Sequence, residues 1–167
     1  MTVKILVLSD SHSTMWFMKR CVEVIKPNAL IHLGDHYDDA ETLSQLHPML
    51  PLYQVPGNCD LYRCPFGAPM VMAVSVCGVR MYMTHGHNHG VKQTTYSLCQ
   101  DARAAGAAAA LYGHTHQPHC EQLEDGLWLI NPGSAGNGGR TAAVIETDGT
   151  KITACRIIGE ADLEETV

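Results

Sequence analysis

Lys4-Ile5-Leu6-Val7-Leu8-Ser9-Asp10-Ser11-His12 is the stretch that decides the fold. Residues 4–8 lie in a nearly continuous apolar run, as a strand buried on both faces requires, and the run stops abruptly at polar residues. Met15, Met18, Cys21, Val22 and Ile25 then recur at helical spacing until Pro27 ends the helix. A second apolar run, 29–33, ends at Gly34-Asp35. A short helix over 39–46 follows, and a third strand, 52–55, ends at Pro56-Gly57-Asn58. This alternation predicts a parallel sheet with helices packed against it.

Beyond residue 70 the pattern changes. Residues 70–76 and 80–84 flank Cys77-Gly78 as a hairpin would. A helix is predicted over 93–105, ended by Gly106, and then a strand, 108–112, that runs into Gly113-His114-Thr115-His116. Two further hairpins pair 117–123 with 127–130 and 142–146 with 152–156. There are no repeats, linkers or low-complexity tracts. All 167 residues are therefore expected to form one domain of the α/β class. Two mixed sheets packed together with helices outside make a four-layer α/β/β/α sandwich.

Composition excludes several roles. With 46% hydrophobic residues the chain can bury a real core. Seventeen acidic against eleven basic residues give a net charge of -6, which argues against non-specific binding to a nucleic-acid backbone. The acidic tail 160–165 is expected to be solvated. Seven cysteines, an odd number without a CxxC pair, fit reduced thiols better than a disulfide framework. Charged residues come too early for a signal peptide, and the apolar stretch 104–111 is too short to span a bilayer. A cytoplasmic protein with no membrane partner is expected, and the apolar hairpin 70–83 could serve a homo-oligomer interface or the core.

Polar residues recur where strands end: Asp10 and His12, Asp35, Asn58, His85 and His87, His114 and His116. In α/β sheets, ligands collect beyond the carboxyl ends of strands. If the chain is extended there, each pair separated by one residue projects to one side, and Gly86 lets the backbone come close. Any single pair would be ordinary turn chemistry. Five such motifs at five strand ends point to one shared metal site. Imidazole with carboxylate suits manganese, zinc, iron or nickel, and no thiolate cluster suggests structural zinc. His32, inside an apolar strand, reads as a core or supporting histidine. His36, His47, His89 and His119 read as surface groups.

Taken in order, Asp10-Ser11-His12, Gly34-Asp35, Gly57-Asn58-Cys59-Asp60, His85-Gly86-His87 and Gly113-His114-Thr115-His116 resemble the calcineurin-like metallophosphoesterase superfamily. The short chain, the Gly-Asn-Cys-Asp box and Asn131-Pro132-Gly133-Ser134 are similar to its small YfcE-type phosphodiesterases. The likeness spans residues 5–134 and implies hydrolysis of a small phosphoester by hydroxide from a water between two divalent ions. Manganese is favoured, with zinc, iron or nickel as alternatives. It further implies that Asp10, His12, Asp35 and His116 hold one ion, that Asp35, Asn58, His85 and His114 hold the other, and that Asp35 bridges them. Asn58, Cys59, Asp60 and His87 form the expected catalytic set, with His87 supporting a ligand or touching phosphate. Two divalent ions outweigh the two carboxylates, so the site would attract phosphate against the sign of the whole chain.

Cys59 departs from the pattern. Many superfamily members carry histidine there as general acid, and a thiol donates a proton less well. General acid catalysis contributes about 10²–10⁴-fold, so acidic leaving groups, in diesters or aryl esters, should be preferred to alkyl monoesters. The rival is a scaffold like the retromer subunit Vps29, which shares the fold and has lost parts of the ligand set. Here every implied ligand position is filled. Tyr37, Tyr62 and Arg63 lie beside the motifs without a clear role, and residues 131–134 form a turn that closes the pocket wall.

Overall fold

The computed structural model describes residues 2–164. The first half contains β1 (Val3–Leu8), α1 (Met15–Ile25), β2 (Ala29–His32), α2 (Tyr37–Leu46) and β3 (Leu52–Gln54). The second half contains β4 (Val71–Val76), β5 (Val79–Thr84), α3 (Tyr96–Ala104), β6 (Ala109–Leu111), β7 (His119–Gln122), β8 (Trp128–Asn131), β9 (Thr141–Thr147) and β10 (Ile152–Gly159). Two five-stranded sheets result, ordered β10-β9-β1-β2-β3 and β4-β5-β6-β8-β7. Each is mixed: β1, β2 and β3 run parallel, as do β5, β6 and β8, and antiparallel strands lie at one edge of the first sheet and at both edges of the second.

The continuous apolar run of β1 has its cause in this layering. Ile5 and Val7, with Ala29 and Ile31, face the second sheet and pack with Met81, Met83, Ala109, Leu111 and Ile130. Leu6, Leu8 and Leu30 face outward and are covered by Phe17, Met18 and Cys21 of α1 and Leu43 of α2. On the far side, Tyr82, Ala110 and Leu129 are covered by Leu98, Cys99 and Ala102 of α3. Strands buried on both faces lose the period-two alternation of a half-exposed sheet. The four layers are helix, sheet, sheet and helix.

Register brings the strand ends to one rim. Leu8 is level with His32, and His32 with Gln54. In the other sheet Met83 is level with Leu111, and Leu111 with Ile130. The loops that follow therefore emerge together.

Some details differ from the sequence expectations. Phe17, absent from the expected apolar stripe, is fully buried while Met15 is only partly so. The acidic residues Glu160, Asp162 and Glu164 are exposed as expected, while Glu160–Leu163 forms a 3₁₀ turn that buries Leu163, whose carbonyl accepts Arg20 Nε–H at 3.2 Å. Glu165 lies outside the described residues. The seven cysteines are free. Among the described residues, no helix is long and apolar enough to cross a membrane.

Candidate metal centre

The backbone at the rim is not extended. Asp10, His12, Asp35, His114 and His116 have φ of 53°, 45°, 59°, 67° and 61°. The pairs Asp10/His12 and His114/His116 therefore converge through left-handed turns rather than through strand alternation, and the His85/His87 pair turns at Gly86, whose φ is 109°. Such backbone costs a non-glycine residue about 1 kcal/mol or more and persists where surrounding contacts enforce it. Those contacts are present. Asp10 N–H donates to Gly34 O at 2.8 Å, and Gly113 N–H donates to His85 O at 2.9 Å, so each loop is tied to its neighbour.

Asp10 is fully buried, and its two oxygens face different ways. Oδ2 accepts the Ser9 hydroxyl at 2.5 Å and the His114 N–H at 3.2 Å. Oδ1 lies 3.1 Å from His116 Nε2 and 3.8 Å from His85 Nε2. Burial raises the Asp10 pKa, partly offset by the nearby His85. Asp35 holds its Oδ2 3.5 Å from His85 Nε2, while Oδ1 accepts the Cys59 N–H at 2.9 Å. Burial would push Asp35 upward, but His85 and the Cys59 N–H outweigh it and hold the carboxylate well below its usual range.

These atoms form two overlapping groups able to hold an ion: Asp10, His12 and His116, and Asp10, Asp35 and His85. Asp10, rather than Asp35, is the carboxylate common to both. A third group, His36, Asp38 and Asp39, has the right ligand types, but its oxygens are engaged. Asp39 Oδ2 accepts the Ser11 hydroxyl at 2.8 Å and the Ser13 N–H at 2.7 Å, and Asp38 pairs with Arg63 at 3.1 Å.

The donor set fits a metal on a second observation. His85 Nδ1 lies 2.7 Å from Leu33 O, an acceptor, so Nδ1 carries the proton and Nε2 faces the carboxylates. That Nε2 is buried without a hydrogen-bond partner, as is His12 Nε2. Buried polar atoms are almost always partnered. Donors sharing one zinc-type ion at about 2.0–2.2 Å lie roughly 3–4 Å apart, the spacing found here. Without an ion, Asp35 and Asp10 overcome the effect of burial and raise the His85 pKa. A cation held there would take the place of that proton. His114 is held neutral, its pKa pushed down to about 4 by burial and by His85, and its ring lies 5.1 Å from that of His85.

Several motif residues hold this arrangement together. Asp60 is fully buried, and its carboxylate accepts N–H groups of Asp35 (2.8 Å), His36 (2.7 Å), Tyr37 (3.1 Å) and Gly57 (2.7 Å). Four donors occupy both oxygens, so Asp60 positions the Asp35 loop. Cys59 is exposed, and burial with the Asp35 charge raises its pKa, keeping it a thiol. Asn58 is exposed, its Nδ2 3.7 Å from Cys59 Sγ. His32 is buried as expected and accepts the Gly34 N–H through Nδ1 at 3.2 Å. Its Nε2 then donates to Ser11 Oγ, 3.0 Å away. Asn131 Nδ2 donates to Gly113 O and Thr115 Oγ1, and the Ser134 hydroxyl donates to Asp10 O, so the 131–134 turn braces the ligand loops.

His87 sits beside the ligands, with ring centroids 5.5 Å from His85 and 6.1 Å from His114. Burial and His85 lower its pKa. Two histidines expected on the surface are built in. His36 packs its ring 4.9 Å from His12, and His89 Nε2 lies 3.1 Å from both the Tyr82 hydroxyl and Asp101. The signal for His36 was its place directly after Asp35.

The family comparison decides the class. Residues 3–150 match the calcineurin-like phosphoesterase superfamily domain. The chain belongs to this family. A probable metallophosphoesterase, YsnB of Bacillus subtilis, is 33% identical over 133 residues, covering 79% of this chain and 75% of that protein. The phosphodiesterase YfcE of Escherichia coli is 27% identical over 165 residues, covering 84% and 85%. Among solved structures, a predicted phosphoesterase from Streptococcus pneumoniae has a TM-score of 0.71 at 24% identity, covering 96% of this chain and 99% of that one. Zinc-complexed Vps29 from Entamoeba histolytica shares the fold, with a TM-score of 0.72 at 17% identity, covering 94% and 99%. Metallophosphoesterase homologues of this kind make the chain a phosphoesterase at the level of its family, with Asp and His clusters that could hold divalent metal.

Proposed function

We propose that this protein is a dinuclear-metal phosphodiesterase. The observation that carries this is the pair of ligand groups joined at Asp10, with the unpartnered Nε2 atoms of His85 and His12 inside them. The resemblance assigns Asp10, His12, Asp35 and His116 to one ion and Asp35, Asn58, His85 and His114 to the other. The ligand groups of the fold meet instead at Asp10, so that Asp10, His12 and His116 would hold one ion and Asp10, Asp35 and His85 the other, with Asn58 and His114 beside them. Manganese is favoured, and zinc, iron or nickel suit the same ligands. Two such ions when bound supply Lewis acidity and hydroxide near neutral pH.

The chain's own groups divide the remaining work. Leu33 O fixes the His85 tautomer, and Asp60 fixes the backbone that presents Asp35. His87, held neutral, is placed to donate to a phosphate oxygen or to steady His85 or His114. Cys59 retains its proton and offers only a weak acid to the leaving group, which favours diesters and aryl esters over alkyl monoesters.

The test is a substrate panel of bis-p-nitrophenyl phosphate, p-nitrophenyl phosphate and p-nitrophenyl acetate, with Mn²⁺ and with EDTA. Metal-dependent turnover with the diester fastest supports the proposal. Carboxylic ester turnover alone overturns it, and no turnover at all favours a Vps29-like scaffold.

A further inference from the structure

Between Asp60 and β4 the chain makes a series of turns whose apolar side chains have no place in the core. Phe66 is 108% exposed, Leu61 76% and Met70 38%. Large apolar groups clustered on a surface mark a contact site for something apolar. Here they line a cavity of about 390 Å³, whose wall includes Leu61, Pro65, Phe66, Met70, Asn58 and His87. The last two join it to the metal centre. Asn58 adjoins Cys59, whose N–H holds Asp35, and the His87 ring stands 5.5 Å from that of His85. The volume lies within the range of small-molecule sites, which are mostly apolar with a few placed polar groups.

We propose that this cavity is the subsite for an apolar or aromatic group esterified to the substrate phosphate, with Phe66 and Met70 as its specificity-determining residues. The inference rests on the phosphoesterase reading of the metal centre and names the substrate class that this reading leaves open. A phosphate held at the metal centre would carry its substituent past His87 into this cavity, whose lining supplies the aromatic ring of Phe66 and the pliable thioether of Met70. Continuity with the metal ligands selects this occupant over a second copy of the chain.

The experiment is calorimetric titration of the Mn²⁺-loaded protein with phenylphosphonate and with methylphosphonate. Burying the phenyl ring should make phenylphosphonate bind about tenfold more tightly. In the Phe66→Ala/Met70→Ala protein that advantage should fall below about twofold. Met49→Ala, an exposed residue outside the cavity, should retain it. Thermal melting checks that each variant is folded, and light scattering follows oligomeric state. Equal affinities in the parent, or an advantage untouched by the double variant, overturn the inference, as does a dimer-to-monomer change with an unchanged ratio. Binding of neither phosphonate overturns the phosphoesterase reading itself, and this inference with it.

Discussion

Asp60 Oδ2 accepts the backbone N–H of Asp35 at 2.8 Å, across 25 residues of sequence. The same carboxylate takes the N–H groups of His36, Tyr37 and Gly57. Asp60→Asn would turn an NH₂ group toward two of these four donors. Each buried group left unsatisfied costs about 1–3 kcal/mol, and support of this kind typically changes metal affinity about 10–100-fold. Metal titration should show that loss, together with a lower melting temperature. Unchanged affinity would deny Asp60 its positioning role.

His32 should give the fold a pH dependence of its own. Burial lowers its pKa from 6.5 to about 4 in the folded chain. Below pH 6.5 the unfolded chain binds a proton that the folded chain refuses, so stability should fall as pH drops from 6.5 toward 4. By linkage the total is about 3 kcal/mol. In His32→Asn that part of the slope should vanish, although the variant is less stable at pH 7. Urea denaturation at pH 7, 5.5 and 4.5 measures it.

Gly113 lies against the loop after β1 so closely that a Cβ would overlap Ser9 Oγ and come within 2.8 Å of Asp10 Oδ2. Gly113→Ala should therefore displace the carboxylate common to both ligand groups. Metal affinity is expected to fall at least about tenfold, while the secondary structure seen by circular dichroism persists. Parent-like metal binding would place Asp10 outside the centre.

Much of this was legible in the sequence. The strand ends could be found because strands buried on both faces make short apolar runs that stop abruptly at Asp10, Asp35, His85 and His114. The turns taken by those residues could not. A left-handed φ at Asp10 or His116 depends on hydrogen bonds from loops far along the chain, such as that from Asp10 N–H to Gly34 O. Asp60 looked catalytic because it sits in the Gly-Asn-Cys-Asp box, and only the folded loop shows its oxygens filled by N–H groups. The surface reading of His36 and His89 failed for the same reason, since their partners lie on other elements.

Cys59 offers a gain-of-function test. Cys59→His would restore the residue that many family members use as general acid. It should speed alkyl phosphomonoesters with poor leaving groups by about 10²-fold, at the lower end for acid catalysis, and change p-nitrophenyl esters little. A rate series against leaving-group pKa reads the difference. Equal effects across the series would remove Cys59 from the leaving-group side.

The most direct test strips the protein of metal, adds Mn²⁺ stepwise and follows hydrolysis of bis-p-nitrophenyl phosphate. Activity should be absent in the stripped protein and reach its plateau at two equivalents per chain. A plateau at one equivalent would contradict the dinuclear centre, and no hydrolysis with both sites filled would contradict the enzyme.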